Sequence, residues 1–272
     1  VPSPVVTPLG LLGDSLEPVL LLQGYQVGEE ALCGMILSCD RLIHHSEETF
    51  QRFRQRLTSG GFGASEAAAT IDNSHARVRS GFERIAALAA RALADYASTT
   101  VALDAFQHLF SRTWHKAPLD DETAPRNLMA VYLSDALKEY KVWIGSPSRV
   151  KATASIVLRA CLVRYILRLS HVATKKRSSF SPKNVLQGLK TDLLWIRSSL
   201  EKSPEVSRIL PPPALSQSLA PLRAVITLLE SPDPSTFAAD AQATAALRRS
   251  LGVATKSTVL ALKPKWKSLG TL

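Results

Sequence analysis

The chain has 272 residues, 46% of them hydrophobic and 21% charged, with a formal net charge of +10. Those proportions exclude a disordered chain, and the length allows one large or two small domains around a sizeable core. Leu and Ala dominate the apolar set while β-branched and aromatic residues are sparse, which favours helix over sheet.

The first residue is Val1 rather than Met, as expected of a fragment of a longer protein. The apolar run from Leu9 to Leu22 is broken by Asp14, Glu17 and Pro18 and has no Lys or Arg before it. It reads as neither a signal peptide nor a spanning helix. A helix is then predicted from about Gly28 to Leu57, with Ile36, Leu37, Leu42 and Ile43 inside. The chain's three cysteines, Cys33, Cys39 and Cys161, are an odd and scattered set. They are expected to be small buried residues in a reducing, cytoplasmic compartment.

Ser59-Gly60-Gly61-Phe62-Gly63 reads as a helix–helix loop with Ser65 as a cap. It has neither the Lys-Ser/Thr of a phosphate loop nor a strand before it. A long helical stretch follows to about Phe110, with possible interruptions expected near Asp72-Asn73 and Ser98-Thr99-Thr100. Phe82, Ile85, Ala89, Leu93 and Tyr96 are expected to keep to one face of it. The polar segment Lys116–Pro125 is the natural linker, so residues 1–116 are expected as one helical bundle, 117–125 as the linker and 126–272 as a second bundle.

In the second half a small polar residue precedes proline four times: Ser146-Pro147, Ser181-Pro182, Ser203-Pro204 and Asp233-Pro234. A Ser or Asp cap accepts from an orphan N–H, and proline at the next position gives up no hydrogen bond. Helices are therefore predicted at about Arg126–Trp143, Ser148–Ala173, Pro182–Lys202, Leu215–Leu229 and Pro234–Ser250, with a short one before Pro264. Pro211-Pro212-Pro213 is expected to be a non-helical break. Leu158, Leu162, Tyr165 and Leu169 recur at helical spacing and should form a buried stripe. The fold class is all-α, an elongated stack of helical bundles.

The charge is uneven. Residues 1–148 hold 13 Lys+Arg against 17 Asp+Glu, whereas residues 149–190 hold ten basic residues and no acidic one. Arg164, Arg168 and Lys175 are spaced by four and seven, and Lys176 and Arg177 extend that side. These five are the candidate patch for an acidic partner: a protein, anionic lipid head groups or nucleic acid. A plain solvated face is the competing explanation, although such faces usually mix signs. Only Tyr165, Phe180 and Trp195 lie nearby for base stacking, which disfavours nucleic acid.

Other constellations carry little chemistry. His44 and His45 are adjacent and point apart on a helix, so they cannot share a metal as an i, i+4 pair would. Asp120-Asp121-Glu122 lacks the turn glycine of a hard-cation loop and reads as solvated linker. There is no GxSxG, HExxH or paired CxxC. No catalytic, cofactor-binding or metal residue is expected, and the chain is read as a non-enzyme.

From its middle to its end the sequence resembles the C-terminal region of exocyst subunit three, the Sec-six family. The likeness begins at Phe106-Gln107-His108-Leu109-Phe110-Ser111-Arg112-Thr113-Trp114 and continues through Met129-Ala130-Val131-Tyr132-Leu133-Ser134-Asp135. It then takes in Ile156-Val157, Val163 and Tyr165-Ile166-Leu167, followed by the turn Lys176–Pro182. It closes with Ala224–Pro234 and Leu260-Ala261-Leu262, about residues 106–262 in all. The proline triplet and the Ala-rich stretch Phe237–Leu247 depart from that pattern. The resemblance implies a non-catalytic helical rod that docks secretory vesicles at the plasma membrane beside other exocyst subunits and SNARE proteins. The family has no catalytic residues to carry over. A basic helical nucleic-acid binder is the alternative, and an enzyme completed by other subunits is a third reading.

Overall fold

In a computed structural model, residues 28–58, 64–106, 114, 125–175, 182–263 and 266 are described. Eleven α-helices and one 3-10 turn account for nearly all of them, and no strand occurs among the described residues. In chain order they are α1 (Glu29–Thr58), α2 (Ala64–Asp104), α3 (Pro125–Ile144), α4 (Pro147–Lys175), α5 (Pro182–Lys202) and α6 (Pro204–Ile209). Then come α7 (Pro212–Ser218), α8 (Ala220–Glu230), α9 (Pro234–Ala239), α10 (Ala241–Leu251), the 3-10 turn Gly252–Ala254 and α11 (Thr255–Leu262). The all-α class is therefore observed. None of the described helices is long and apolar enough to cross a membrane.

The expected helix starts are observed, and the capping bond is made at Ser203 and Asp233. Helices begin at Pro147, Pro182, Pro204 and Pro234, each directly after the expected polar residue. Ser203 accepts from the Val206 N–H at 3.5 Å and Asp233 from the Thr236 N–H at 2.8 Å. Ser146 instead shares a hydrogen bond with the Ser148 hydroxyl, and Ser181 lies outside the described residues. Between α3 and α4, Gly145 takes φ 74, a left-handed conformation that closes the helix and that a side chain would resist.

Several boundaries differ from expectation, and the helix expected at Leu215–Leu229 is divided into α7 and α8 at Leu219. The proline triplet does not hold the chain out of helix: Pro211 is the N-cap, and Pro212 and Pro213 form the first turn of α7, where no donor is needed. The stretch expected as one helix from Pro234 is divided at Asp240, whose carboxylate accepts from the Ala243 N–H at 2.8 Å and starts α10. By contrast α2 runs unbroken. Its Ser98, Thr99 and Thr100 hydroxyls return hydrogen bonds to carbonyls three or four residues back, so they do not compete with the helix.

Helix α4 is the centre of the packing and touches α2, α3, α6, α7, α8, α10 and α11. Its Leu158, Leu162, Tyr165 and Leu169 are all buried, as the stripe requires. They belong to one continuous apolar core that runs from Leu32 in α1 to Trp266. That core takes in residues on both sides of the expected linker 117–125, and α2 lies along α4. Residues 116–124 themselves, like the expected loop at 59–63, the Asp120–Glu122 cluster and the run Leu9–Leu22, lie outside the described residues.

The helix directions follow from the contacts. Arg149 binds Glu83 and Arg164 binds Ser98, the same sequence offset fifteen residues apart, so α4 and α2 are parallel. Glu47 pairs with Arg79 and Arg54 with Asp72, so α1 and α2 form an antiparallel hairpin. Of the residues expected on one face of α2, Ala89 and Leu93 lie in the core. Ala86, Ala89, Ala90, Leu93, Ala94, Ala97 and Val101 are buried, while Ile85 and Tyr96 are exposed. Small alanines let α1 and α4 approach α2 closely, and the larger side chains are left outside.

Candidate functional site

Four side chains from distant parts of the chain converge inside the molecule. The Tyr165 hydroxyl donates to an Asp192 carboxylate oxygen at 2.6 Å, and the Trp114 Nε1–H donates to the same oxygen at 3.0 Å. Arg126 donates to the other oxygen at 3.2 Å. Phe106 packs edge-on against Tyr165, with ring centroids 5.7 Å apart. Gly188 makes room for the indole, since a Cβ there would stand 2.4 Å from the Trp114 ring.

This constellation ties α3, α4, α5 and the residue at 114 together. Burial pushes the Asp192 carboxyl above the usual range, opposed by the donors from Tyr165, Arg126 and Trp114, and pushes the Tyr165 hydroxyl well up. Asp192 is 0% exposed and Arg126 2%, so the group offers no face to a solute. Its chemistry is internal: three donors compensate one buried carboxylate.

Two further ties are built the same way. Glu29, at the first turn of α1, accepts from Tyr132 at 2.8 Å and Tyr140 at 2.9 Å, both on α3. Burial first, and the Glu29 charge next, raise both phenols above their ordinary value. Arg149 of α4 reaches Asp40 of α1 at 2.8 Å and Glu83 of α2 at 2.6 Å. That bond holds Glu83 below the usual carboxylate range. The cysteines are free and buried, and desolvation lifts the Cys33 and Cys161 thiols to about 12. His44 is exposed and lies 3.4 Å from Glu48, and no group of three potential metal ligands occurs among the described residues.

The residues of the expected basic patch differ in exposure. Arg164 is half-buried, and its Nε donates to Ser98 Oγ of α2 at 2.7 Å. Arg168 is half-buried too, with its Nε shielded from solvent. Lys175 is exposed at the last residue of α4, and Lys176 and Arg177 lie outside the described residues. Arg164 and Arg168 are thus less exposed than Lys175. Their spacing puts them opposite the apolar stripe, but on a central helix that side is also partly covered.

Of the other cations in 149–190, Arg149 is paired within the fold and Lys190 lies 2.6 Å from Glu230. Lys151, Arg159 and Lys183 are exposed. In the last segment Lys263 turns inward, donating to the Ser231 carbonyl at 2.9 Å and lying 5.2 Å from the Trp266 ring.

Sequence reasoning missed the Asp192 constellation because its members are separated by up to 78 positions. The one available signal was Asp192 itself, a lone carboxylate next to Leu193 and Leu194. No family model matches the chain, and neither the curated proteins nor the solved structures contain a match to it.

Proposed function

We propose that the chain is a non-catalytic docking module, a vesicle-tethering subunit of the exocyst type. It would work in the cytoplasm, peripherally at plasma-membrane sites of secretion, through contacts with other subunits, SNARE proteins and anionic lipid. The resemblance over residues 106–262 supplies the family. The observation that carries the docking role is the division of charge. Buried ionisable groups tie helix to helix, whereas Lys151, Arg159, Lys175 and Lys183 stand exposed without a side-chain partner among the described residues. Such cations attract an acidic surface.

A nucleic-acid partner has less support. Tyr165 is buried and Trp195 half-buried, so neither presents an open ring to a base.

The test mixes the labelled chain with purified exocyst-type subunits, with SNARE proteins, with phosphoinositide vesicles and with duplex DNA or RNA. Binding to at least one subunit is expected. Charge reversal at Arg159 and Lys175 should weaken vesicle binding by about 1 kcal/mol per charge, less as salt rises. Tight duplex binding with a steep salt slope and no subunit binding would replace the tethering reading.

A further inference from the structure

Helix α2 has a second apolar side. It starts at Ile71 and repeats every seven residues as Val78, Ile85 and Ala92. Ser74, Gly81 and Leu88 fill the steps between, and Tyr96 and Leu103 carry the line to the end of the helix. The line runs from Ile71 to Leu103, about 48 Å of helix, with Asp95, seven after Leu88, at its edge. Ile85 is 43% exposed, Leu88 51% and Leu103 60%. A Cβ on Gly81 would meet nothing within 4 Å, so the line is open. Helix α1 has a matching line: Met35 and Leu42 stand seven apart, Phe53 lies further along, and all three are exposed.

Both lines face the same way. Arg149 of α4 holds Asp40 on α1 and Glu83 on α2, and Arg164 of α4 holds Ser98 on α2. Leu42 and Ile85 stand two positions after Asp40 and Glu83, and Tyr96 two positions before Ser98, each about 200° around the helix. The exposed lines therefore point away from α4, on the free side of an antiparallel hairpin. Two neighbouring helices with apolar lines on the same side form a seam that a third helix fills.

The borders of the seam specify the third helix. Arg77, Arg84 and Arg91 immediately precede Val78, Ile85 and Ala92, and Arg41 and Arg52 immediately precede Leu42 and Phe53. All five arginines are exposed, and none takes part in an ion pair among the described residues. On α1 the exposed Glu48 stands between Arg41 and Arg52, whereas the α2 border is arginine throughout, and a second copy of the chain would set that row against another arginine row, which is unfavourable. We propose that the free side of the α1/α2 hairpin docks an amphipathic helix of a partner protein whose apolar stripe is bordered by Asp or Glu. This deepens the docking role and rests on it. Acidic border positions would pair with the arginines and set partner and register, as flanking charges do in coiled coils.

The experiment uses the whole chain and two four-heptad peptides. Both carry Leu at the core positions; one carries Glu and the other Lys at the flanking positions. The Glu peptide should bind one-to-one and at least about tenfold more tightly than the Lys peptide at low salt, with the gap closing as salt rises. Ile85→Asp with Leu88→Asp should weaken binding by at least about tenfold with an unchanged circular dichroism spectrum. Arg84→Glu with Arg91→Glu should reverse the preference toward the Lys peptide, a result that loss of folding cannot produce. Equal binding of both peptides, or none, overturns the proposal. So does a dimer of the chain that Ile85→Asp dissolves, which would assign the face to a second copy. Hydrogen-exchange protection of residues 9–22 that the same substitution removes would assign it to the chain's own N-terminal stretch. If exocyst-type subunits bind while neither peptide does, only this face is withdrawn. If subunits also fail to bind, the docking role falls with it.

Discussion

Asp192→Asn keeps the side-chain volume but removes the charge on which Arg126, Tyr165 and Trp114 converge. The carboxylate is fully buried, so the substitution leaves the Arg126 guanidinium without its countercharge in the core. Breaking a buried pair from one side costs about 3–5 kcal/mol. Tyr165→Phe removes only the 2.6 Å donor to that carboxylate, and a hydrogen bond to a charged group contributes about 1.5–3 kcal/mol. Against a domain stability of about 5–15 kcal/mol, the first change takes a large part and the second a moderate one. Urea unfolding followed by circular dichroism measures both, with lower midpoints and unchanged slopes expected. The double variant should lose less than the sum of the singles, because both act on one carboxylate. A loss below about 1 kcal/mol for Asp192→Asn, or strict additivity, would refute the claim that this constellation holds α3, α4 and α5 together.

Leu162 is fully buried on the central helix, so Leu162→Ala should cost about 2–5 kcal/mol in the same assay. Gly188→Ala should destabilise by about 1–3 kcal/mol, because the new methyl meets the Trp114 ring. Helix propensity alone would make that exchange stabilising, so the sign of the change decides between the two. Hydrogen bonds from Ser235 and Thr236 push the Asp233 carboxyl down to about 2, below its ordinary value. Its contribution is then present above the ordinary carboxylate range and lost as pH falls through about 2. The gap in unfolding midpoint between the parent and Asp233→Ala should therefore close on acidification; a constant gap would count against the cap. Cys33 and Cys161, with thiols near 12 and no exposure, should stay unmodified by a thiol reagent at mildly alkaline pH until the protein unfolds.

Much of the helix plan is local and could be read from the sequence. Ser203 and Asp233 before proline mark helix starts because a cap needs only a side chain and an amide three residues on. The stripe Leu158–Leu162–Tyr165–Leu169 marks a core face because three- and four-residue spacing places those residues together on any helix. The same local rule misplaced the proline triplet, where a residue with no donor suits a first turn as well as a break. It also overlooked Asp240, a cap followed by alanine rather than proline.

What only the tertiary structure decided is which side of each helix meets another. Ile85 and Leu93 look alike in the sequence of α2, yet Leu93 is buried and Ile85 open, because α1 and α4 cover one side and leave the other. Arg164 and Lys175 look alike on α4, yet Arg164 is drawn onto Ser98 while Lys175 remains in solvent. Arg77, Arg84 and Arg91 were hidden in a half of the chain with more acidic than basic residues, and only their place beside the open apolar line sets them apart. A helix's periodicity determines which residues share a side; burial and pairing depend on neighbours brought in from far along the chain.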